Sequence, residues 1–527
     1  MLGASFPPSP FGLFACFGLI PLLVVLENLE KHSLRYIYLA MFVFHLITLN
    51  WTGGYAHMND PYMMIAGGVT MTVHPFFYFV PLGVYVVVKK KLGSTLALVS
   101  LPFLWVAYEY SHTLSEWSFP WITLGNSQSY DIARIQFIEY TGVIGLSLWI
   151  VSLNVLGFQL YKSFLANGMT FRSRLNVSLV AILLLIYFIP TIHGRIVLSS
   201  NPQSTIRNPQ SRAGINVGIV QSNVDPWEKW KHTGFETVEL YLRMTDSLVK
   251  LHSTQKPALV LWPETAMPHH VLLQQNKSSL TMIRERVDSL GVPVLFGLPH
   301  AVFYDDTTTA PPSAKRIQAT GERYDAFNAE AFVQPDVEEV PWYGKMKFVP
   351  IAERVPYADA FYFFDFLRWG VGIGGWQIGR DSVIFQEKKT GAKFSSMICY
   401  ESVYPEFVAS FVKKGAEFIC IITIDSWWAY MSGAYQHHQY AIFRAIENRR
   451  WIARCAVGGF SSFIDPMGHV YDKTELFTQA VLNTTIERRT ELTFYTRYGE
   501  WVGQLCAICS GVFLLIALVK RKEFAVI

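Results

Sequence analysis

Charge is scarce in this 527-residue chain: 16% of residues are Asp, Glu, Lys or Arg, against 51% apolar. That balance leans toward a membrane protein. The formal net charge of +4 is small. Basic residues gather at the ends of apolar runs rather than in a patch, so nucleic acid is not an expected partner. Cysteine is also scarce, with six in all: Cys16, Cys399, Cys420, Cys455, Cys506 and Cys509. No CxxC pair is matched by a second pair, which argues against a zinc site, and no disulfide framework is indicated. Cys506-Ala-Ile-Cys509 lies inside an apolar run and reads as packing. Residues 1–10 contain no Lys or Arg and hold Pro7, Pro8 and Pro10. Without a charged n-region, a cleaved signal peptide is not expected. Internal repeats and low-complexity segments are lacking, and the length exceeds one ordinary domain.

The apolar residues are unevenly spread. Runs near 11–27, 35–51, 61–88, 93–111, 136–161, 175–192 and 501–519 mostly approach the roughly 20 residues needed to cross a bilayer. The first two are short, and His74-Pro75 predicts a kink in the third. Lys31 and Arg35 follow the first run, Lys89, Lys90 and Lys91 the third, Lys162, Arg172 and Arg174 the fifth, and Lys520, Arg521 and Lys522 the last. Loops 52–60 and 112–132 lack Lys and Arg up to the single Arg134 beyond them. Basic loops stay on the cytoplasmic side, so this alternation delivers the segment between the last two runs to the outer face. The expected organisation is six spans in 1–195, a polar linker at 196–212, a globular domain at 213–490 and a last span at 500–520.

Within 213–490, short buried strands are expected at 215–221, 258–262, 292–298, 327–334, 393–399, 416–424, 451–457 and 460–464. Helical periods fall at 235–252, 276–290 and 433–449, and 303–321 reads as a polar loop. Alternating helices and buried strands predict a layered α/β domain. The stretch 355–379 is aromatic and glycine-rich without a clean period. On a domain tethered to a bilayer it reads as an arm that dips into lipid or covers an apolar pocket; the alternative is a core-packing insertion.

Three stretches carry candidate reactive groups. Phe394-Ser-Ser-Met-Ile-Cys399-Tyr-Glu401 reads as a strand ending at a cysteine, and Pro405 opens a helix behind it. Strand, sharp turn and helix is a geometry that presents a nucleophile. Glu264 sits in Leu-Trp-Pro-Glu-Thr just past a strand end. Lys345 sits in Tyr-Gly-Lys-Met-Lys-Phe-Val-Pro, with Glu353 following. A thiol needs a base to become a thiolate, and acyl transfer needs a cation or N–H donors at its oxyanion. Singly, each has a plainer reading: Cys399 as a buried thiol, Glu264 as a turn cap, Lys345 as a solvated charge.

Trp-Pro-Glu-Thr, Lys-x-x-x-Val-Pro-x-x-Glu and Ile-Cys-Tyr-Glu, in this order, resemble the nitrilase superfamily with its Glu-Lys-Cys triad. The flanking spans, Phe6-Pro-Pro, Val220-Gln-x-Asn-Val, Asp425-x-Trp427, Gln436-His437 and Arg444-Ala-x-Glu447 resemble the apolipoprotein N-acyltransferase family within it. The resemblance implies an α-β-β-α sandwich joined to a multi-span helical membrane domain in the bacterial inner membrane, with the catalytic part on the periplasmic side. It implies a two-step transfer of an acyl chain from a membrane phospholipid, typically phosphatidylethanolamine, through a thioester on Cys399. The acceptor would be the amine of a diacylglyceryl-cysteine at a lipoprotein's N-terminus. By resemblance, Glu264 is the base and acid, Lys345 the oxyanion partner and Glu353 its orienter. Tyr400 and Glu401 are matched neighbours of the nucleophile, and Trp230 and Trp427 match aromatics that line the lipid pocket. No cofactor or metal is implied, and adjacent His437 and His438 point apart on a helix. The family pattern has eight spans where seven are counted here. It has an Asn where Ile424 stands, and Asn-Asn-Gly where this chain has Val457-Gly458-Gly459. A membrane-anchored amidase of small molecules and a non-catalytic lipid-binding protein are the rival readings; neither calls for both the triad and the spans.

Overall fold

The computed structural model describes residues 1–29, 31–56, 58, 60–167, 173–200, 214–230, 234–357 and 375–520. Contacts divide the chain into two units, Met1–Pro202 with Arg497–Ile527, and Gln203–Thr496.

The first unit is helical: α1 (Ile20–Asn28), α2 (Ser33–Thr48), α3 (Pro61–Val73), α4 (Phe79–Leu92), α5 (Ser94–His112), α6 (Ile132–Ile135), α7 (Ile138–Asn167) and α8 (Arg174–Ser200). At His74-Pro75 a 3-10 turn, His74–Tyr78, interrupts the run between α3 and α4, where the proline lacks an N–H to continue the ladder. Among the described residues, four helical segments are long and apolar enough to cross a membrane: Met63–Leu92, Ile138–Ala166, Arg174–Ser200 and Trp501–Val519. Gly12–Asn28 and Ser33–Thr48 are shorter apolar helices. α8 exposes Ile182, Leu184, Leu185, Phe188, Ile189, Ile192 and Ile196. Such a face is a liability in water and a normal surface in lipid. The linker expected from 196 starts later, because the apolar run Ile196-Val-Leu carries α8 on to Ser200. The Ser199 and Ser200 hydroxyls bond back to the Ile196 carbonyl, both at 2.9 Å.

The second unit has strands β1 (Gly214–Gln221), β2 (Leu259–Leu261), β3 (Val294–Phe303), β4 (Lys315–Arg316), β5 (Arg323–Val333), β6 (Trp342–Gly344), β7 (Phe385–Gln386), β8 (Lys393–Ile398), β9 (Phe418–Thr423), β10 (Ile452–Ala456), β11 (Ser462–Ile464), β12 (Val470–Tyr471) and β13 (Ala480–Glu487). They form a seven-stranded sheet, β13-β1-β2-β3-β5-β4 with β6 also on β5, and a six-stranded sheet, β12-β11-β10-β9-β8-β7. β1, β2 and β3 run parallel in the first sheet, and β8, β9 and β10 in the second. Strands buried on both faces read as continuous apolar runs, as Phe418–Thr423 does.

The sheets pack face to face. The Phe332 and Phe394 rings meet edge-on at 5.3 Å, and the Cys455 thiol of β10 donates to the Val220 and Leu261 carbonyls of the other sheet at 3.4 and 3.5 Å. The helices are α9 (Gly234–Leu251), α10 (Lys277–Leu290), α11 (Pro405–Lys413) and α12 (Ser432–Asn448). α9 and α10 cover the first sheet through Val238, Tyr241, Leu248, Ile283 and Val287. Each such buried aliphatic side chain contributes roughly 1.5–3 kcal/mol. The result is an α-β-β-α sandwich. The short α13 (Phe494–Tyr498) precedes α14 (Trp501–Val519), which belongs to the first unit.

The strands expected from the sequence do not include β4, β6, β7, β12 or β13, and they make β3 and β5 shorter than they are. β3 runs on through Pro299 to Phe303, paired with β5 as far as Tyr324. β13, with its polar Asn483-Thr-Thr, pairs antiparallel with β1 at the sheet edge, where most of the strand stays half-exposed and no apolar alternation is needed. Of the stretch 355–379, residues 358–374 lie outside the described residues. Trp376 beyond them is buried with Ala326 and Phe348.

Candidate active site

Cys399 stands where β8 ends. Its φ of 53° is left-handed, a conformation that L residues with a side chain adopt at a cost of about 1–3 kcal/mol when the surroundings enforce it. A 3-10 turn, Cys399–Val403, follows, and Pro405 at the first turn of α11 sets the helix direction. Glu401 is the bracket of this elbow. One oxygen accepts from the Ile398 N–H at 2.8 Å; the other accepts from the Tyr343 hydroxyl and the Met346 N–H, both at 2.6 Å. Burial pushes the Glu401 carboxyl up to about 7, against the pull of those donors. Glu401 therefore ties the cysteine turn to the segment that carries Lys345.

Lys345 follows β6 and is fully buried. Its backbone N–H bonds the Asn328 carbonyl at 2.8 Å, and its carbonyl accepts from the Gly379 N–H at 2.9 Å. The ammonium lies 2.6 Å from Glu353 Oε1 and 3.5 Å from Glu264 Oε1. Glu353 is fixed in turn by the Val349 N–H at 2.8 Å. Burial alone would lower the Lys345 ammonium's affinity for its proton, but the Glu353 and Glu264 carboxylates outweigh burial and hold it above its ordinary range. Lys345 is thus a permanent buried cation.

Glu264 occupies the turn beyond β2. Thr265, next in the chain, is also left-handed, with φ 43°. The turn lies so close to β3 that a Cβ on Gly297 would sit 2.4 Å from the Thr265 nitrogen and 2.7 Å from the Glu264 Cα. Only glycine fits there. Asn328 Nδ2 donates to Glu264 Oε1 at 2.8 Å. On the other side, the buried Lys229 ammonium donates to the Thr265 carbonyl at 3.3 Å and to its hydroxyl. Burial pulls Lys229 down to about 7, opposed by Glu264.

Burial pushes the Cys399 thiol well up, the Glu264 carboxylate pushes the same way, and Lys345 opposes them. The thiol therefore rests protonated and needs a base at the moment of attack. A buried carboxylate, a buried permanent cation and a half-buried thiol at the end of a strand, within electrostatic reach of one another, can perform acyl transfer.

The structure brings Glu264, Lys345, Glu353 and Cys399 into one cluster and sets Glu401 behind it. Tyr400 is buried and turns edge-on to Tyr404, ring centroids 5.4 Å apart. Trp230 is half-buried, with the Lys229 ammonium 5.0 Å from its ring centroid. Trp427 is half-buried and meets Trp227 edge-on at 4.8 Å. The sequence reading missed Asn328, Lys229, Gly297, Tyr343 and Trp227. Lys229 has one signal, a lysine between tryptophans in Trp-Glu-Lys-Trp; Asn328 is interspersed with Asp325 and Glu330 among the apolar residues of β5 and does not stand out from them.

Residues 1–156 match the apolipoprotein N-acyltransferase N-terminal domain, and residues 216–493 match the carbon-nitrogen hydrolase family. An apolipoprotein N-acyltransferase of Chlorobaculum tepidum is 32% identical over 99% of this chain and 95% of its own length. That of Geobacter metallireducens is 28% identical over 88% of this chain and 82% of its own. A solved structure of a branch 10 nitrilase-superfamily member from Saccharomyces cerevisiae aligns with 52% of this chain and 90% of its own, at 14% identity and a TM-score of 0.38. With both parts matched in order and a relative at this identity along nearly its whole length, the chain belongs to the apolipoprotein N-acyltransferase family.

Proposed function

We propose that this acyltransferase moves an acyl chain from a membrane phospholipid, phosphatidylethanolamine being the expected donor, to the N-terminal amine of a diacylglyceryl-cysteine lipoprotein. The observation that carries the reading is the buried cluster in which the Lys345 ammonium joins Glu353 and Glu264 beside the left-handed Cys399. Glu264 takes the thiol proton as Cys399 Sγ attacks the ester carbonyl carbon. Lys345, with the N–H of Tyr400 as second donor, stabilises the oxyanion. The ester C–O bond breaks, Glu264 returns its proton to the departing oxygen, and lysophospholipid leaves a thioester behind. The lipoprotein amine then attacks the thioester carbonyl, gives a proton to Glu264 and forms an amide; the sulfur leaves and regains its proton from Glu264. Glu353 holds Lys345 in place throughout. Trp230 and Trp427, with Trp227, form an apolar wall for the acyl chains.

Water must be kept from the thioester, or the reaction becomes lipid hydrolysis. The apolar helices of the first unit support a site beside a bilayer. We place the protein in the bacterial inner membrane with the domain on the periplasmic side, from the alternation of basic loops. Intact mass after incubation with phosphatidylethanolamine alone tests the reading. One added acyl group, mapped to Cys399 and absent from Cys399→Ala, is expected. An unmodified wild-type protein, or acylation that persists in Cys399→Ala, overturns it.

A further inference from the structure

Cys399 is left-handed, so something must hold it there, and its carbonyl oxygen shows what does. The Ser402 hydroxyl donates to that carbonyl at 2.8 Å, and His437 Nε2 lies 3.2 Å from it and 3.0 Å from the Ser402 oxygen. A carbonyl only accepts, and the Ser402 proton is already directed at it. The tautomer with its proton on Nε2 bonds both partners. On the far side of the ring, Nδ1, then without a proton, accepts from Arg454 Nη2 at 3.1 Å and lies 2.9 Å from Asp425 Oδ1. Arg454 also donates to Asp425 Oδ2 at 2.8 Å and to the Phe460 carbonyl at 2.5 Å. His437, Asp425 and Arg454 are all buried.

The cluster belongs to the nucleophile's own sheet. Asp425 follows β9, Arg454 lies in β10, and His437 projects from α12. Gly459 completes it: a Cβ there would meet the Asp425 carboxylate at 2.4 Å, so a residue with a side chain would displace the ion pair. His438, the neighbouring histidine, takes a different partner, the Ser462 hydroxyl at 3.0 Å. Burial would raise the Asp425 carboxyl, but Arg454 and His437 hold it down to about 2, so it stays a carboxylate.

We infer that His437, held at Nδ1 by Arg454, whose guanidinium Asp425 pairs, is a positioning residue that fixes the left-handed turn at Cys399 by donating from Nε2 to its carbonyl and to Ser402. The inference deepens the reading above and rests on Cys399 being the nucleophile. His437 touches no reacting atom; it acts through the backbone that aims the thiol.

The test is the single-turnover rate of acyl-enzyme formation from labelled phosphatidylethanolamine by full-length protein in detergent micelles. His437→Gln keeps an N–H donor near the position of Nε2, His437→Asn keeps one near Nδ1 only, and His437→Leu keeps neither. Leu and Asn should slow acylation about 10²-fold, the scale expected of a reacting group misplaced by about 1 Å, while Gln should stay within about tenfold of wild type. A purely packing role would not separate Gln from Asn in this way. Asn at the wild-type rate, or Gln as slow as Asn, overturns the inference. Should His437→Leu fail to fold, the Gln–Asn pair still decides. Wild-type protein in the same assay keeps the two claims apart: no thioester on Cys399 refutes the underlying reading, whereas a wild-type burst matched by His437→Asn refutes this inference alone.

Discussion

The sandwich presents two strand-end turns, one from each sheet, and they solve the same problem with opposite charges. Beyond β2, Glu264 precedes a left-handed Thr265; beyond β8, Cys399 is itself left-handed. The Glu264 turn is held by a cation, Lys229, and by close approach of Gly297. The Cys399 turn is held by an anion, Glu401, and by the ring of His437. The sign of each support matches its task. A carboxylate that must accept a proton and give it back sits beside a lysine whose own charge is marginal in that burial. A thiol that rests protonated is braced by a carboxyl that bonds backbone N–H groups and never meets the sulfur.

The largest expected effects come from breaking what the two turns share. Lys345 touches the Glu264 side directly and feels the Cys399 thiol. Lys345→Ala leaves both turns intact and removes the oxyanion cation, so acylation should fall by ~10²–10³. Glu264→Gln keeps the shape and removes the base, and acyl-enzyme formation should fall at least as far. Quenched-flow counting of labelled acyl-enzyme checks both, and a wild-type rate in either variant would remove that residue from its role.

A smaller effect should separate the turns. Lys229→Met removes the cation that holds Thr265 while leaving the Cys399 elbow untouched. Acylation should slow by about tenfold, through a shifted Glu264 rather than a lost one. Stability carries a pH signature as well. The folded Lys229 gives up its proton near 7, below the ordinary lysine value, so between about 7 and 10 the unfolded chain binds more protons than the folded one. Stability from this group therefore rises with pH across that window, by at most about 1.4 kcal/mol per pH unit. The melting temperature of wild type relative to Lys229→Met should climb from pH 7 to 9. A constant difference would mean that Lys229 keeps its proton throughout.

How far each turn could be read from the sequence follows from the same contrast. Trp-Pro-Glu-Thr and Ile-Cys-Tyr-Glu each stand at the end of a buried apolar run, and a polar residue there is conspicuous. The residues that hold the turns are not. Asn328 sits inside β5 and reaches Glu264 from a neighbouring strand, a relation set by register alone. Gly297 is one glycine among many until β3 is seen against the Glu264 turn. Lys229 reads as a surface charge because its burial depends on segments distant in the chain. The same limit applies to strands: β3 was expected to stop before Pro299, yet it continues because β5 pairs with it on both sides of that residue. β13 carries too little apolar pattern to be recognised without its partner β1.

The most direct test of the central claim is a chase. Wild-type protein is acylated with labelled phosphatidylethanolamine, freed of lipid, and mixed with a synthetic diacylglyceryl-cysteine peptide. The expected result is that label leaves Cys399 and reappears as an amide on the peptide's α-amino group in equal amount, without further phospholipid. If label stays on the protein, or is released as free fatty acid with the peptide unmodified, the two-step transfer through Cys399 is contradicted.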